Sequence, residues 1–278
     1  MAHTPCQHGA VAPPARLPIS WAVLSHEPTI RLAAFLGILA ILLAAERLWP
    51  WRVARPLGAR RWVGNLGLLA VGTILIRLVV PAAAMGAAFW AQARGWGLMQ
   101  GWPAWLAIPA TVVILDLLIY FQHRAFHHVP MLWRLHRVHH ADTEMDATTG
   151  LRFHPVELLL SVFIKMAAVV ALGAPPEGVL IFEVLLNASS MFEHAAITLP
   201  GWLDRALRPI IVTPSLHRIH HSERREETDS NFGFNLSLWD RVFGTLRPTA
   251  QGELRLGIGA FGEPRDQRLD KLLVQPLR

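Results

Sequence analysis

Apolar runs divided by short basic or Pro- and Gly-containing breaks organise the first two thirds of the chain. Crossing a bilayer takes about 20 mostly apolar residues in a helix, because hydrocarbon offers no partner to an exposed backbone N–H or C=O. Ile30 to Trp49, IRLAAFLGILAILLAAERLW, meets that length; a second candidate lies within Val63 to Ala91, and a third, Trp102 to Phe121, runs directly into His123. Two shorter runs follow, Val156 to Leu172 and Val179 to Ile197, and the GAPPEG between them favours a tight connection. Their length suits a helical hairpin that either crosses the membrane or re-enters it. The pattern predicts an all-α integral membrane protein with about four transmembrane helices, the last two forming the hairpin, and a cytoplasmic helical cap holding a His-rich dimetal site. By domain, residues 1–29 read as a Pro-rich mobile tail, 30–101 as N-terminal membrane helices, 102–247 as the chemistry-bearing domain and 248–278 as a C-terminal tail.

Composition agrees with that pattern. Only 17% of residues are charged and 53% are hydrophobic, whereas soluble domains carry about 25% charge. The net charge of +6 raises the question of nucleic acid. The basic residues sit beside apolar runs and not among stacking aromatics, which excludes that class. A single cysteine, Cys6, excludes an intramolecular disulfide and any multi-cysteine metal site. Arg47, Arg52, Arg55, Arg60 and Arg61 lie between the first two runs, while the opposite loops carry Arg94 and Glu177. The positive-inside rule places the arginine-rich loop in the cytoplasm, and counting crossings returns the chain to that side at His123 and again after Leu199. Arg77 and Asp116 fall inside apolar runs, where they are expected to neutralise each other, or Arg77 to snorkel beside Pro81.

Histidine changes the picture most. His123 and His127 are spaced i, i+4, so a helix presents them on one face. His136, His139 and His140 follow as HxxHH, and His217, His220 and His221 repeat it; His154 in RFHPVE and His194 in MFEHA lie between. A topology built without these residues puts all of them on one membrane face. One first-row metal takes about four to six ligands, so ten imidazoles imply two ions with about five nitrogens each. Adjacent histidines diverge by about 100° around a helix. The expectation is that they face different ions, and that the first and second histidines of each HxxHH share one. Imidazole suits zinc, copper, iron and nickel alike, so ligand type does not name the metal. Behind the ligands, Asp116 is placed to orient an imidazole, with Tyr120 on the same helix, and Glu144, Asp146, Glu157 and Glu193 are further acidic candidates.

Asp116, Tyr120, His123, Arg124 and His127, followed by LWRLHRVHH, FHPVE, PSLHRIHH, NFG and WDRVFGT, resemble the fatty acid hydroxylase/sterol desaturase superfamily from Leu106 to Thr245. The resemblance implies a membrane oxygenase of the non-haem di-iron type. Its iron ligands would be His123, His127, His136, His139, His140, His194, His217, His220 and His221. Some members carry two histidines near the position of His194. Here Asn187 and Ser190 precede it with no second imidazole, so the tenth place is open to His154, Asn187 or water. Implied cofactors are two Fe ions, replaceable by zinc in recombinant material, with dioxygen as co-substrate. The implied reaction is hydroxylation or desaturation of an aliphatic C–H of a sterol-like, fatty acyl or related lipid. Trp133, Phe153, Phe182 and Phe192 are candidates to line a lipid pocket. The chain has no Gly-rich dinucleotide fingerprint, so electrons are expected from a separate ferredoxin, or from a b-type cytochrome with its reductase, drawn to arginines such as Arg134, Arg137, Arg218, Arg224 and Arg225. A zinc hydrolase lacks its HExxH and leaves most of the histidines unexplained. The remaining alternative is a metal- or haem-binding membrane carrier without oxygenase activity. It would place its histidines within the spans, whereas these follow span ends.

Overall fold

A computed structural model of the chain describes residues 24, 26–52 and 58–278. The expected mobile tail therefore lies outside the described residues except at its end. Helix α1 is Glu27–Leu48, α2 Gly58–Val79, α3 Ala83–Arg94, α4 Ala104–His128, α5 Pro130–His140, α6 Pro155–Leu172 and α7 Pro176–His194. Short helices α8 (Gly201–Leu207), α9 (Pro214–His220), α10 (Arg225–Thr228), α11 (Leu238–Val242) and α12 (Leu269–Val274) build the cap, with a 3₁₀ turn at Ala147–Leu151. Among the described residues the only β pairing is three isolated bridges.

Proline sets several of these starts. It occupies the first turn of α5, α6, α7 and α9, where its missing N–H would have no intrahelical partner anyway. Helix α6 stops at Gly173, whose φ of 62° is left-handed. A Cβ on Gly97 would lie 2.0 Å from the Gly173 nitrogen, so both glycines are needed for that turn to pack.

Four stretches are long and apolar enough to cross a membrane: Glu27–Leu48, Arg60–Arg94, Ala104–His128 and Pro155–Leu172. The second is α2 and α3 together, broken at Pro81. Helix α7 is the exception to the expected hairpin. It is the more enclosed element, burying Val179, Phe182, Glu183, Met191 and His194 against its neighbours. Rather than packing along α6, it faces α6 across a cavity bordered by Leu158, Ser161 and Val162 on one side and Leu186, Asn187 and Ser190 on the other.

Polar interactions fix the cap to one end of the bundle. Arg61 on α2 is 2% exposed and donates from Nε to Asp142 Oδ1 at 2.7 Å, from Nη2 to Thr149 Oγ1 at 2.9 Å, and also to Asp146. Arg152 donates to Val138 O at 2.8 Å and Gln267 Oε1 at 2.6 Å. Glu46 at the end of α1 accepts from the Ala147 and Ala196 backbone N–H groups. Burial alone would raise the Asp142 carboxyl, but Arg61 and then Arg152 hold it well below the usual carboxylate range.

Of the two expectations for Arg77 and Asp116, mutual pairing is corrected and Arg77 beside Pro81 agrees with the structure: Arg77 donates to Pro81 O at 3.3 Å, and Asp116 accepts from Asn235 N, Leu236 N and Trp239 Nε1 at 3.0, 3.1 and 2.8 Å. The C-terminal segment is folded onto the cap, with Leu272 in a core cluster beside Leu68 and Val138. The carbonyls of Pro276 and Gln275 accept from Arg134 and Arg137 at 2.6 and 2.7 Å.

Removing one partner of a buried ion pair leaves the other uncompensated, at a cost of about 3–5 kcal/mol. Arg61→Met is therefore expected to lower the melting temperature of the detergent-solubilised protein by several degrees in a thermal-shift assay. Because the folded Asp142 is depressed, its contribution is fully present above the unfolded value of about 3.9 and is lost as pH falls below it. Stability should accordingly hold level from pH 8 to 5, drop below about pH 4, and show a shallower acid limb in Asp142→Asn.

Candidate metal centre

Four helices meet at the capped end of the bundle, and each brings histidines. Helix α4 contributes His123 and His127 from its last two turns, α5 His136, His139 and His140, α7 His194 at its C-terminus, and α9 His217 and His220 with His221 as the residue after it. The side chains fall into two groups. His123, His127, His136, His140 and His220 form one, and His139, His194, His217 and His221 the other; within each, the candidate ligand atoms lie within 4.8 Å of one another. All nine residues are buried.

The partition corrects one expectation. The first and third histidines of each HxxHH share a group, not the first and second: His136 goes with His140, and His217 with His221. A pair at i, i+4 lies one turn apart on nearly the same helix face, while the middle residue is rotated away.

Backbone carbonyls fix the rings. Nδ1 of His123 faces Phe232 O at 3.0 Å, that of His220 faces Ser230 O at 2.7 Å, and that of His194 faces Ser190 O at 2.6 Å. A carbonyl only accepts, so in these three neutral rings Nδ1 carries the hydrogen and Nε2 presents a lone pair. Those Nε2 atoms point at other imidazoles. His123 Nε2 is 3.0 Å from His220 Nε2, and His194 Nε2 is 3.0 Å from the Nε2 atoms of His139, His217 and His221. Between His123 and His220 two lone pairs face each other with no hydrogen to share, a repulsive arrangement that a cation placed between them turns attractive.

The distances bear on the kind of cation. With nitrogens about 2.1 Å from an ion, neighbouring positions are about 3.0 Å apart at right angles and about 3.4 Å apart in a tetrahedron. The 3.0 Å separations match the right-angled spacing, and the 3.2 Å between His217 and His221 lies between the two. Burial, ahead of any Coulombic contribution, pushes His194 down to about 4 and His220 to about 3. It also holds His139, His140, His217 and His221 well below their usual value. These six rings are thus neutral at physiological pH and ready to bind a metal without first losing protons.

Carboxylates support the rings unevenly. Glu157 Oε1 lies 2.6 Å from His136 Nδ1, and Asp229 Oδ1 lies 3.4 Å from His127 Nδ1. Glu193 is fully buried with no hydrogen-bond partner on either oxygen, 3.7 Å from His194 Nδ1 and 3.8 Å from His217 Nε2. Burial, and then Asp116 and Asp240, raise its carboxyl well above the usual range.

The other candidates stand elsewhere. His154 caps α6, accepting from Val156 N at 3.3 Å, with Nε2 3.2 Å from Leu273 O. Asn187 donates to Glu183 O within its own helix. Asp146 caps the 3₁₀ turn, and the Glu144 carbonyl accepts from Arg52. Asp116 and Tyr120 act at one remove. Asp116 holds residues 235 and 236, while Asp240 accepts from Phe232 N and Gly233 N, both at 2.8 Å. Tyr120 OH meets Thr245 Oγ1 at 2.8 Å, and Thr245 Oγ1 donates to Asp240 Oδ1 at 2.6 Å. NFG and WDRVFGT are therefore one device: a loop clamped by two acids so that the Phe232 carbonyl orients His123. The sequence reading missed the three orienting carbonyls, for which residue type carries no signal, and Asp229, which has none of the histidines' spacing.

A cavity of about 540 Å³ extends to two residues that touch this centre. Phe153 and Glu157 border it, and the Phe153 ring stacks on His139 with centroids 4.4 Å apart and planes 13° from parallel. Trp133, Phe182 and Phe192 do not border it. Trp133 packs on His127, Phe182 belongs to the core and Phe192 packs beside Ile197.

The fatty acid hydroxylase family profile matches residues 108–245. The chain is 28% identical to an ornithine lipid hydroxylase of Rhizobium tropici over 198 residues, 70% of this chain and 55% of that protein. It is 31% identical to the alkylglycerol monooxygenase of Xenopus tropicalis over 150 residues, 53% of this chain and 31% of that protein. Against the alkylglycerol monooxygenase of Homo sapiens it is 30% identical over 132 residues, 48% of this chain and 28% of that protein. The chain thus spans little more than half the length of the first relative and less than a third of the other two. No solved structure matches it. The matched residues include both histidine groups and the clamped loop beside them, and the chain belongs to the fatty acid hydroxylase superfamily.

Proposed function

We propose that this protein is a membrane-bound di-iron oxygenase that hydroxylates an aliphatic C–H of a lipid, using dioxygen and electrons from a separate donor. The observation that carries the reading is two groups of buried imidazoles, with the Nε2 lone pairs of His123 and His220 facing one another at 3.0 Å in one and His194 Nε2 3.0 Å from three other imidazole Nε2 atoms in the other. Five nitrogens on one side and four on the other suit two ions, with Glu193 the nearest unpaired acid to the four-histidine group. The nine clustered histidines would hold the ions. Bound iron supplies the redox chemistry by which dioxygen attacks an unactivated C–H, beyond the reach of any side chain. Names of relatives ending in hydroxylase and monooxygenase support oxygen insertion over desaturation.

The chain's own residues do the rest. Glu157 and the carbonyls of Ser190, Ser230 and Phe232 orient the imidazoles. A Cβ on Gly150 would lie 2.3 Å from Ser190 O, so glycine there allows the 3₁₀ turn to close against the carbonyl that holds His194. Burial keeps water from the reacting centre. Phe153 is the surface against which a lipid carbon would rest over His139. The arginine count supports a cytoplasmic location for the metal end; we place the protein in a bacterial inner membrane. Arg134, Arg224 and Arg225 are exposed arginines close to the histidines in sequence, Arg224 and Arg225 each beside an acid, Glu227 and Asp229, and this edge of the cap suits an acidic electron donor such as a ferredoxin or b-type cytochrome.

Purified from iron-replete cells, the protein should contain roughly two irons per chain by plasma mass spectrometry, or zinc in the same amount where expression loads the wrong metal. His220→Ala should deplete one site and His217→Ala the other, each leaving roughly half the metal. One metal or none in the unaltered protein would overturn the two-ion reading. Where iron is bound, lipidomics of the host should show a lipid gaining one oxygen, lost in both variants.

Glu157→Gln removes the charge behind His136 while keeping the shape of the side chain. A metal-competition titration should show affinity reduced by about 10- to 100-fold. Because burial holds His194 near 4 and His220 near 3, protons compete only in acid. Affinity should stay level from pH 8 to 6 and fall as pH approaches about 4, whereas exposed histidines would lose metal through about 6.5.

A further inference from the structure

The cavity that borders Phe153 and Glu157 at the metal end carries a second set of ionisable groups at its other end. Glu27 and Arg31 come from the first turns of α1, Arg77 from the last turn of α2, Lys165 from within α6 and Glu183 from within α7. Lys165 and Glu183 are 8% and 6% exposed. Lys165 Nζ lies 3.1 Å from Glu183 Oε1, and Arg31 pairs with both Glu183 and Glu27. Arg77 pairs with no carboxylate among the described residues, its guanidinium donating only to Pro81 O at 3.3 Å. Three cations therefore face two acids, leaving one positive charge unmatched.

This set is far from the metal. Glu183 precedes His194 by eleven positions on α7, which at 1.5 Å per residue is about 16 Å. The helix ends that supply Glu27, Arg31 and Arg77 are opposite to those that meet the cap. Arg77 is exposed and Glu27 and Arg31 are partly so, but an ion pair such as Lys165–Glu183 buried in an apolar bundle is costly compared with leucines. Lining a cavity with the whole set, and leaving that set one positive charge in excess, is what an anionic occupant requires.

We propose that the cavity takes an amphiphile whose anionic oxygen group, a carboxylate or phosphate ester, is held at Arg31, Arg77 and Lys165, its apolar chain running toward His136 and His139. The reacting carbon is then remote from the charged group, about 16 Å along the cavity. That last step rests on the proposed oxygenase reading; the anion site does not.

Binding to the iron-loaded full chain in phosphatidylcholine nanodiscs would test it, with palmitate, hexadecyl phosphate and methyl palmitate as probes. At least one anionic probe should bind about tenfold more tightly than the ester, the strength of a charge-assisted contact, and the tighter of the two identifies carboxylate or phosphate. Arg77→Gln and Lys165→Met should each remove most of that advantage while leaving ester binding and iron content unchanged. Arg77→Gln strands no acid, so it decides the matter even if Lys165→Met fails to fold. Equal binding of all three probes, or equal weakening of all three in Arg77→Gln, would overturn the anion site. Selective binding without any oxygenated product would retain the anion site and remove the oxygenase reading; product formation without selectivity would do the reverse.

Discussion

Imidazole nitrogens crowded to 3.0 Å in a region that excludes water, with the lone pairs of His123 and His220 turned toward one another, are the constraint on which the other features of this chain depend. Without a cation such an arrangement is repulsive, and burial prevents the rings from relieving it by taking up protons. It therefore has to be imposed by the surroundings. Carbonyls of Phe232, Ser230 and Ser190 fix three rings, Glu157 a fourth, and the buried Arg61–Asp142 pair fastens the connection after α5 to α2. Each of these elements is polar and sits at the capped end of the bundle. The spans below them are held by apolar packing, and four cross-membrane stretches suffice to hold the helix ends that converge on the centre.

How far the sequence disclosed this depends on the physics of each feature. Span positions were legible because hydrocarbon demands length and apolarity, both of which are properties of residue type. The histidines were legible because helical periodicity turns HxxxH and HxxHH into faces. Which histidines share a group was not read correctly, although the same periodicity contains it: one turn is closer to four residues than to three, so His136 goes with His140. The role of Asp116 was misplaced for another reason, and that of Tyr120 beside it was left unspecified. Proximity along α4 suggested a direct contact of Asp116 with an imidazole. Asp116 and Tyr120 instead act through a loop more than a hundred positions away, and a single sequence gives no sign of that pairing.

Helix α7 shows the same limit from the other side. Its composition resembles the second arm of a hairpin, and the Pro-Pro turn supports one. Yet it carries Glu177, Glu183, Asn187, Ser190 and Glu193 on buried or cavity-facing positions, an inventory that suits an interior helix better than one facing lipid. The separation of α6 from α7 follows from that inventory. The facing side of α6 is also partly polar, with Glu157, Ser161 and Lys165, and Lys165 reaches Glu183 across the gap, so the space between the two helices is lined by polar groups and extends to Phe153 beside the histidines.

A division of labour along the membrane normal results. At the capped end, neutral imidazoles and backbone carbonyls make a site that concentrates positive charge only when a cation is bound. About 16 Å away, at the other end of the same cavity, fixed cations are present regardless of metal. The two ends address different parts of one elongated molecule, so binding and reaction are separated in space. Contacts at the charged end then set how far along the chain the reacting carbon falls, and energy gained there positions a segment that offers the metal end nothing polar to grip. For a substrate whose reactive part is a plain methylene chain, recognition at a distance is the physical means of choosing one carbon over its neighbours.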